Sequence, residues 1–436
     1  MTATYLPSFF EVNIPTVDDL DDVLKMRPEV QALYGHEYVH FLQNLTTNFG
    51  LLRTWNKFDR IVQIINHIQQ SGLDIDLPLT GAVIQHEMNN NILLRSLEGS
   101  GFREVLERDS QDYTIDSVER RKDPLLDATF QVEYMRHIVL KLQHPTLSAV
   151  DYIFGETAIA ESMAYLIESK FFDMATPAKW PYLSAKELAQ HIFPPVADDN
   201  ELLLVLCDIA LMHPAPGWAF FTILEEMAAT SAPPVTAEQL IDFARVSYAK
   251  RGWRIDKQLE SARDGLMNRI QTLFNSPFLE PTKKWFENIV YRAADLRDNH
   301  YRFILDVYRS GDLFKEGLVD MVMNLGGPHT INIVGKRYLI APQGLGITAA
   351  DIHPQKLKAL DQIHDMLLTP AATYRCKLLD MCKDSEPIDL VDERCRTKPW
   401  ERSRDKRLCP LAVLWNYYGL DQKNFYLGQQ QIYVIP

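Results

Sequence analysis

The stretch Tyr34-Gly35-His36-Glu37-Tyr38-Val39-His40-Phe41-Leu42-Gln43 decides how this chain is read. It contains HExxH, with His36 and His40 four positions apart and Glu37 beside the first. In a helix, positions i and i+4 lie on one face, so both imidazoles can reach a single metal ion. Glu37 then stands next to that ion and can take a proton from a water molecule there. The pattern predicts a Zn2+ site with hydrolytic chemistry.

The flanking residues support a helix. Arg27-Pro28 can open it, because proline is tolerated in a first turn, and Gly50 is expected to close it. Between them Val30, Leu33, Tyr34, Val39, Phe41, Leu42 and Leu45 form an apolar band at helical spacing. The neighbours of the two histidines are uncharged, as a ligand helix buried in a cleft requires. The competing reading is a buried helix whose histidines simply hydrogen-bond. Downstream, His86-Glu87 begins the same pattern, but Asn90 stands where the second histidine belongs.

Composition narrows the function classes. A chain of 436 residues, 46% hydrophobic and 24% charged, is expected to be a globular protein of two or three domains. Its net charge of −13 argues against coating nucleic acid or an anionic membrane. Met1-Thr2-Ala3-Thr4-Tyr5 shows no basic segment leading into an apolar one, so no secretory signal is expected. The longest apolar run, Leu202 to Met212, is too short for a membrane span and contains Asp208. Five cysteines, an odd number, fit a reducing compartment. These features predict a cytoplasmic protein.

Helical patterning dominates, at Arg53–Gln70, Leu126–Gln143, Ala149–Phe172, Thr236–Arg251 and Lys283–Tyr308. Strand signals are few: Tyr5–Ile14, Phe425–Ile435, and a hairpin of Thr330–Val334 and Arg337–Pro342 around Gly335-Lys336. The expected fold class is mainly α with minor β. Three regions are expected: 1–175 as the metal-binding catalytic core, 176–322 as a helical region, and 323–436 as a mixed α/β region holding most of the cysteines.

A catalytic zinc takes three protein ligands and leaves one position for water. The variant with a third histidine six residues after the second is excluded, because Gln43 and Thr46 occupy its glycine and histidine positions. The other common solution is a glutamate from a later helix. The best segment runs from Asp151 to Tyr165, where Ile153, Thr157, Ala160 and Ala164 begin an apolar stripe continued by Ile167 and Phe171. Glu156 and Glu161 flank this stripe on opposite sides, and helical geometry alone does not choose between them. Glu98 is a third candidate.

This pair of segments resembles the gluzincin-type zinc metallopeptidases, in which a ligand glutamate often sits in a Glu-small-x-Ala setting. Glu161-Ser162-Met163-Ala164 matches that setting and Glu156-Thr157-Ala158-Ile159 does not. The stretch from His36 also resembles bacterial proteins containing HExxHFxQ. The likeness covers these two segments only. The gap of about 120 residues from His40 is long for the group, and no Asp follows the glutamate by four. The resemblance implies a zincin-like helical catalytic core. It also implies His36, His40 and Glu161 as metal ligands, with Glu156 the second choice, Glu37 as the catalytic base, and a protein or peptide as substrate. The alternative is a non-enzymatic adaptor or effector scaffold with a structural or vestigial metal site.

Other residues carry weaker signals. Gln43 and Thr47 continue the His36/His40 stripe, although Thr47 also suits a helix cap. Tyr165, His137 and His329 are of the type that stabilises an oxyanion, but nothing in the sequence puts them near the metal. Cys376, Cys382, Cys395 and Cys409 lack the close pairs of structural zinc sites, which favours buried or free thiols, with a second zinc site as the alternative. The basic stretch from Arg394 to Arg407 is diluted by acids and reads as a salt-bridged loop, with docking of an acidic partner as the alternative. A di-iron bundle would need a second ExxH, and the chain has none beyond Glu37-x-x-His40.

Overall fold

The computed structural model describes residues 3–100, 111–122, 136–173, 175–352, 354–369, 371, 373–383 and 391–427. Helix accounts for 60% and strand for 11%, so the protein is mainly α. The principal helices are α1 (Pro28–Thr46), α2 (Asn48–Gln70), α3 (Ala82–Glu98), α4 (Glu156–Phe171), α5 (Ser184–Ile192), α6 (Asn200–Leu211), α7 (Pro216–Ala229) and α8 (Ala237–Lys250). They continue with α9 (Ile255–Leu273), α10 (Glu280–Asn299), α11 (Phe303–Arg309), α12 (Val319–Leu325), α13 (Pro354–Leu368) and α14 (Pro410–Tyr417). No helix among the described residues is long and apolar enough to cross a membrane.

Three small sheets accompany the helices. Strands β1 (Thr4–Leu6) and β2 (Glu11–Ile14) are antiparallel, and β2 runs parallel to β7 (His329–Asn332), which turns back into β8 (Arg337–Tyr338). β3 (Asp74–Leu77) pairs in parallel with β9 (Asn424–Leu427). β4 (Thr114–Arg121), β5 (His137–Gln143) and β6 (Val150–Phe154) form an antiparallel meander. The first two sheets therefore join the first 77 residues of the chain to strands that lie beyond residue 328. One contiguous apolar core runs from Phe9 to Leu420.

Several expected elements differ. Gly50 does not close α1. Thr47 does, and its hydroxyl accepts from the Gly50 amide at 3.2 Å, capping α2 in the same residue. Gly50 is needed for another reason: a Cβ there would come within 2.4 Å of the Asn44 backbone, where α1 and α2 meet. The helix expected over Leu126–Gln143 is instead strand β5 in its described part, and residues 126–135 lie outside the described residues. The helix expected from Ala149 begins as β6 and becomes α4 only after Gly155. Short apolar runs such as Ile138-Val139-Leu140 satisfy either period, and pairing with β4 and β6 selects the strand. The single helix expected over Lys283–Tyr308 breaks at His300 into α10 and α11. The strand expected over Phe425–Ile435 is β9 as far as Leu427, and its remainder lies outside the described residues.

The apolar run of α6 is wholly internal and holds one charge, Asp208, which meets Arg297 of α10. Arg297 Nη1 and Nη2 lie 2.7 and 2.8 Å from the two Asp208 oxygens, and the guanidinium is 1% exposed. Arg297 Nε also donates to the Thr46 carbonyl at 3.0 Å, at the C-terminal end of α1. A cation there satisfies a helix carbonyl that has no partner further along the helix. Three helices are thus tied by one side chain. Replacing Asp208 by Asn leaves a buried guanidinium without its counter-charge and is expected to cost about 3–5 kcal/mol. A drop of that size in unfolding free energy, measured by urea titration, is the check.

Candidate metal centre

α1 runs unbroken through its motif from Pro28 to Thr46, and fourteen of its residues are buried. Gly35 allows close packing: a Cβ there would be 2.9 Å from Leu313 Cδ2. Tyr38, between the two histidines, donates from its hydroxyl to the Gly326 carbonyl at 2.9 Å. α4 packs against α1, where Gln43 reaches the carbonyl of the small, buried Ala160.

This packing brings His36, His40 and Glu161 together. His36 Nε2 is 3.1 Å from His40 Nε2 and 3.2 Å from Glu161 Oε2, and His40 Nε2 is 3.5 Å from the same carboxylate oxygen. A tetrahedral zinc with bonds of roughly 2.0–2.2 Å holds its ligand atoms about 3.3–3.6 Å apart. The three side chains stand close to that spacing and fit such an ion with a small spreading. Among the described residues no other group of three histidine, cysteine or carboxylate side chains stands this close, and no fourth joins these.

The outer nitrogens are engaged too. His36 Nδ1 lies 3.0 Å from Glu168 Oε2, and an ionised carboxylate can only accept, so Nδ1 carries the hydrogen. Gln43 gives its Nε2–H to the Ala160 carbonyl at 3.0 Å, which turns its Oε1 to His40 Nδ1 at 2.7 Å. In its neutral form each ring would therefore turn a bare Nε2 inward, the tautomer that ligates metal. Two such nitrogens and a carboxylate oxygen this close repel unless a cation or a proton lies among them. Without a metal, protons fill that role. Burial opposes charge on His36, but hydrogen bonds to Glu161 and Glu168 outweigh it and raise its pKa to about 10. Burial likewise disfavours an ionised Glu161, yet the two imidazoles hold it well below the usual carboxylate range.

Glu37 is buried beside these rings. Burial raises its pKa and the neighbouring imidazoles pull the other way, which leaves a more basic carboxylate. Tyr5 of β1 stacks on His40 with ring centroids 6.3 Å apart, and Tyr182 meets His36 edge-on at 6.0 Å.

The remaining candidates are placed elsewhere. Glu156 pairs with Arg53 of α2, and Glu98 lies 3.3 Å from the same guanidinium. Five residues separate Glu156 from Glu161, a rotation of about 140° around the helix, so both cannot face α1. Glu168 stands seven residues beyond Glu161, within about 20° of the same face, and that spacing was the signal that could have found it. Gln43 faces the centre, whereas Thr47 gives its hydroxyl to the Gln43 carbonyl at 2.7 Å and serves as a cap. Tyr165 reaches the neighbourhood through Tyr182, 6.2 Å away ring to ring. His329 sits 3.6 Å from Glu11 across β2 and β7, and His137 begins β5. Tyr5 and Tyr182 carry no sequence signal, because only tertiary packing brings them to α1.

The chain matches no family, no curated protein and no solved structure. The geometry therefore carries the functional reading. Replacing Glu168 by Gln removes the charge that orients and enriches His36 while leaving the three donor atoms in place. Zinc affinity is expected to fall about 10–100-fold, measured by competition with a chromophoric chelator.

Proposed function

We propose that this chain is a zinc-dependent peptidase in which His36, His40 and Glu161 hold the metal and Glu37 is the general base. The observation that carries the reading is the set of three donor atoms, 3.1–3.5 Å apart, with Glu37 adjacent to one of them in sequence and buried with them. Three protein ligands are the number found in catalytic zinc sites, whereas structural sites take four. Zinc held there supplies a Lewis acid that polarises a carbonyl and acidifies water at neutral pH. Glu37 accepts the proton of the attacking water and passes it to the departing amine, a role its raised basicity suits. Glu168 and Gln43 keep the imidazoles from turning.

An extended peptide as substrate is supported by β1. It is the edge strand of its sheet, paired among the described residues only with β2, and its Tyr5 stacks on His40. A substrate strand adding to that edge would bring its carbonyls past the ligand helix. Tyr5 and Tyr182 make ring contacts with His40 and His36, so they are the candidates for the oxyanion role, for which the sequence offered Tyr165, His137 and His329 only as suitable residue types.

The experiment is a pair of variants assayed for zinc content and for cleavage of a peptide library. Glu37→Gln is expected to keep zinc and lose activity by at least about 100-fold. Glu161→Ala is expected to lose both. Full cleavage by the Glu37 variant would overturn the mechanism. Undiminished zinc in the Glu161 variant would overturn the ligand set.

A further inference from the structure

Four of the five cysteines fall between residues 376 and 409, at spacings with no close pair. The fold nevertheless gathers them. The Cys376 amide donates to the Cys395 carbonyl at 2.8 Å, which sets these two side by side. Cys382 lies on the short helix Leu379–Lys383, and Cys409 immediately precedes α14. Cys376 feels the charge of Cys409, Cys382 and Cys395, Cys382 feels that of Cys409 and Cys395, and Cys409 that of Cys395. The four thiols therefore share one neighbourhood. Cys376, Cys395 and Cys409 are buried, and none of the four is in a disulfide.

The surroundings suit thiolates. The Leu378 amide bonds to the Cys376 sulfur, and those of Leu411 and Ala412 bond to the Cys409 sulfur at the N-terminus of α14. Such N–H donors stabilise the ionised form. Arg402, only 5% exposed, places Nη1 3.9 Å from Cys395 Sγ while also meeting Asp392 at 3.0 Å and Asp405 at 3.1 Å. Arg337 lies beside Cys382. Burial pushes Cys376 up to about 12 and Cys382 up to about 11, with the neighbouring cysteines adding to it. A redox-sensing cysteine needs the opposite, a lowered pKa and open access. Convergence, N–H donors and flanking guanidiniums together call for a cation that ionises the group.

We propose that Cys376, Cys382, Cys395 and Cys409 form a tetrathiolate site for a structural Zn2+, separate from the centre on α1 and α4. Among the described residues no three of these sulfurs lie within 4.8 Å of one another. Binding therefore draws them in, to about 3.8 Å apart for Zn–S bonds of about 2.3 Å. Four protons pass to solvent, and the filled site carries a net charge of −2 beside Arg402 and Arg337. The metal pins the segments on either side of residues 384–390 to the start of α14.

The test uses the full chain loaded with Co2+, because only sulfur ligands give a strong thiolate-to-cobalt charge-transfer absorption. The centre at His36, His40 and Glu161 contains no sulfur, so the band reports the cysteines alone and is independent of the peptidase reading. One equivalent of cobalt producing that band is expected in the parent protein, with loss of the band in C376S and in C409S. Zinc content is expected to fall by one equivalent in each of these variants. A parent protein without the band overturns the proposal even if the variants fail to fold. Fewer than five titratable thiols in the denatured, chelated, unreduced protein also overturns it, as does iron bound there in place of zinc.

Discussion

The contact between α1 and α4 is the constraint around which the molecule is arranged. Two imidazoles on one helix meet two carboxylates on the other, all largely removed from water. Taking such groups out of water is costly unless each finds its partner with good geometry. Gln43 of α1 bonds across to the carbonyl of the small, buried Ala160 of α4 and fixes this approach. A shift of one residue in either helix would leave buried charges facing apolar side chains.

Much of the surrounding fold reads as support for α1. Its C-terminal end is held by Arg297, its middle by Tyr38 on Gly326, and its motif turn by the close approach of Leu313 to Gly35. These anchors come from α10 and from the segment between α11 and β7, far along the chain. The parallel pairing of β2 with β7 brings that segment back beside the N-terminus. Residues expected to form separate regions therefore contribute to one core and steady one helix.

The same economy governs the polar groups outside the centre. Arg53 takes up both Glu156 and Glu98, so the glutamates not turned toward α1 are neutralised one helix away. Glu11 and His329 form their own buried pair, in which burial lowers the histidine and the neighbouring histidine and lysine lower the carboxylate. In both sets a buried charge meets its counter-charge.

Sequence alone determined the helix carrying His36, Glu37 and His40, because a fixed i, i+4 spacing within an apolar band has one structural meaning. It also determined the hairpin at Gly335-Lys336 and the mainly helical character. It could not choose between Glu156 and Glu161 without a resemblance, since helical period says which residues share a face but not which face meets a distant helix. It missed Glu168 and Tyr182, and it favoured buried or free thiols for Cys376 to Cys409 because their spacing shows no close pair. Each of these depends on contacts between residues far apart in the chain. The strands at His137 and Val150 were misread for a related reason: their apolar runs fit both periods, and only a neighbouring strand resolves them. Local chemistry is written in local spacing, whereas convergence is decided by packing.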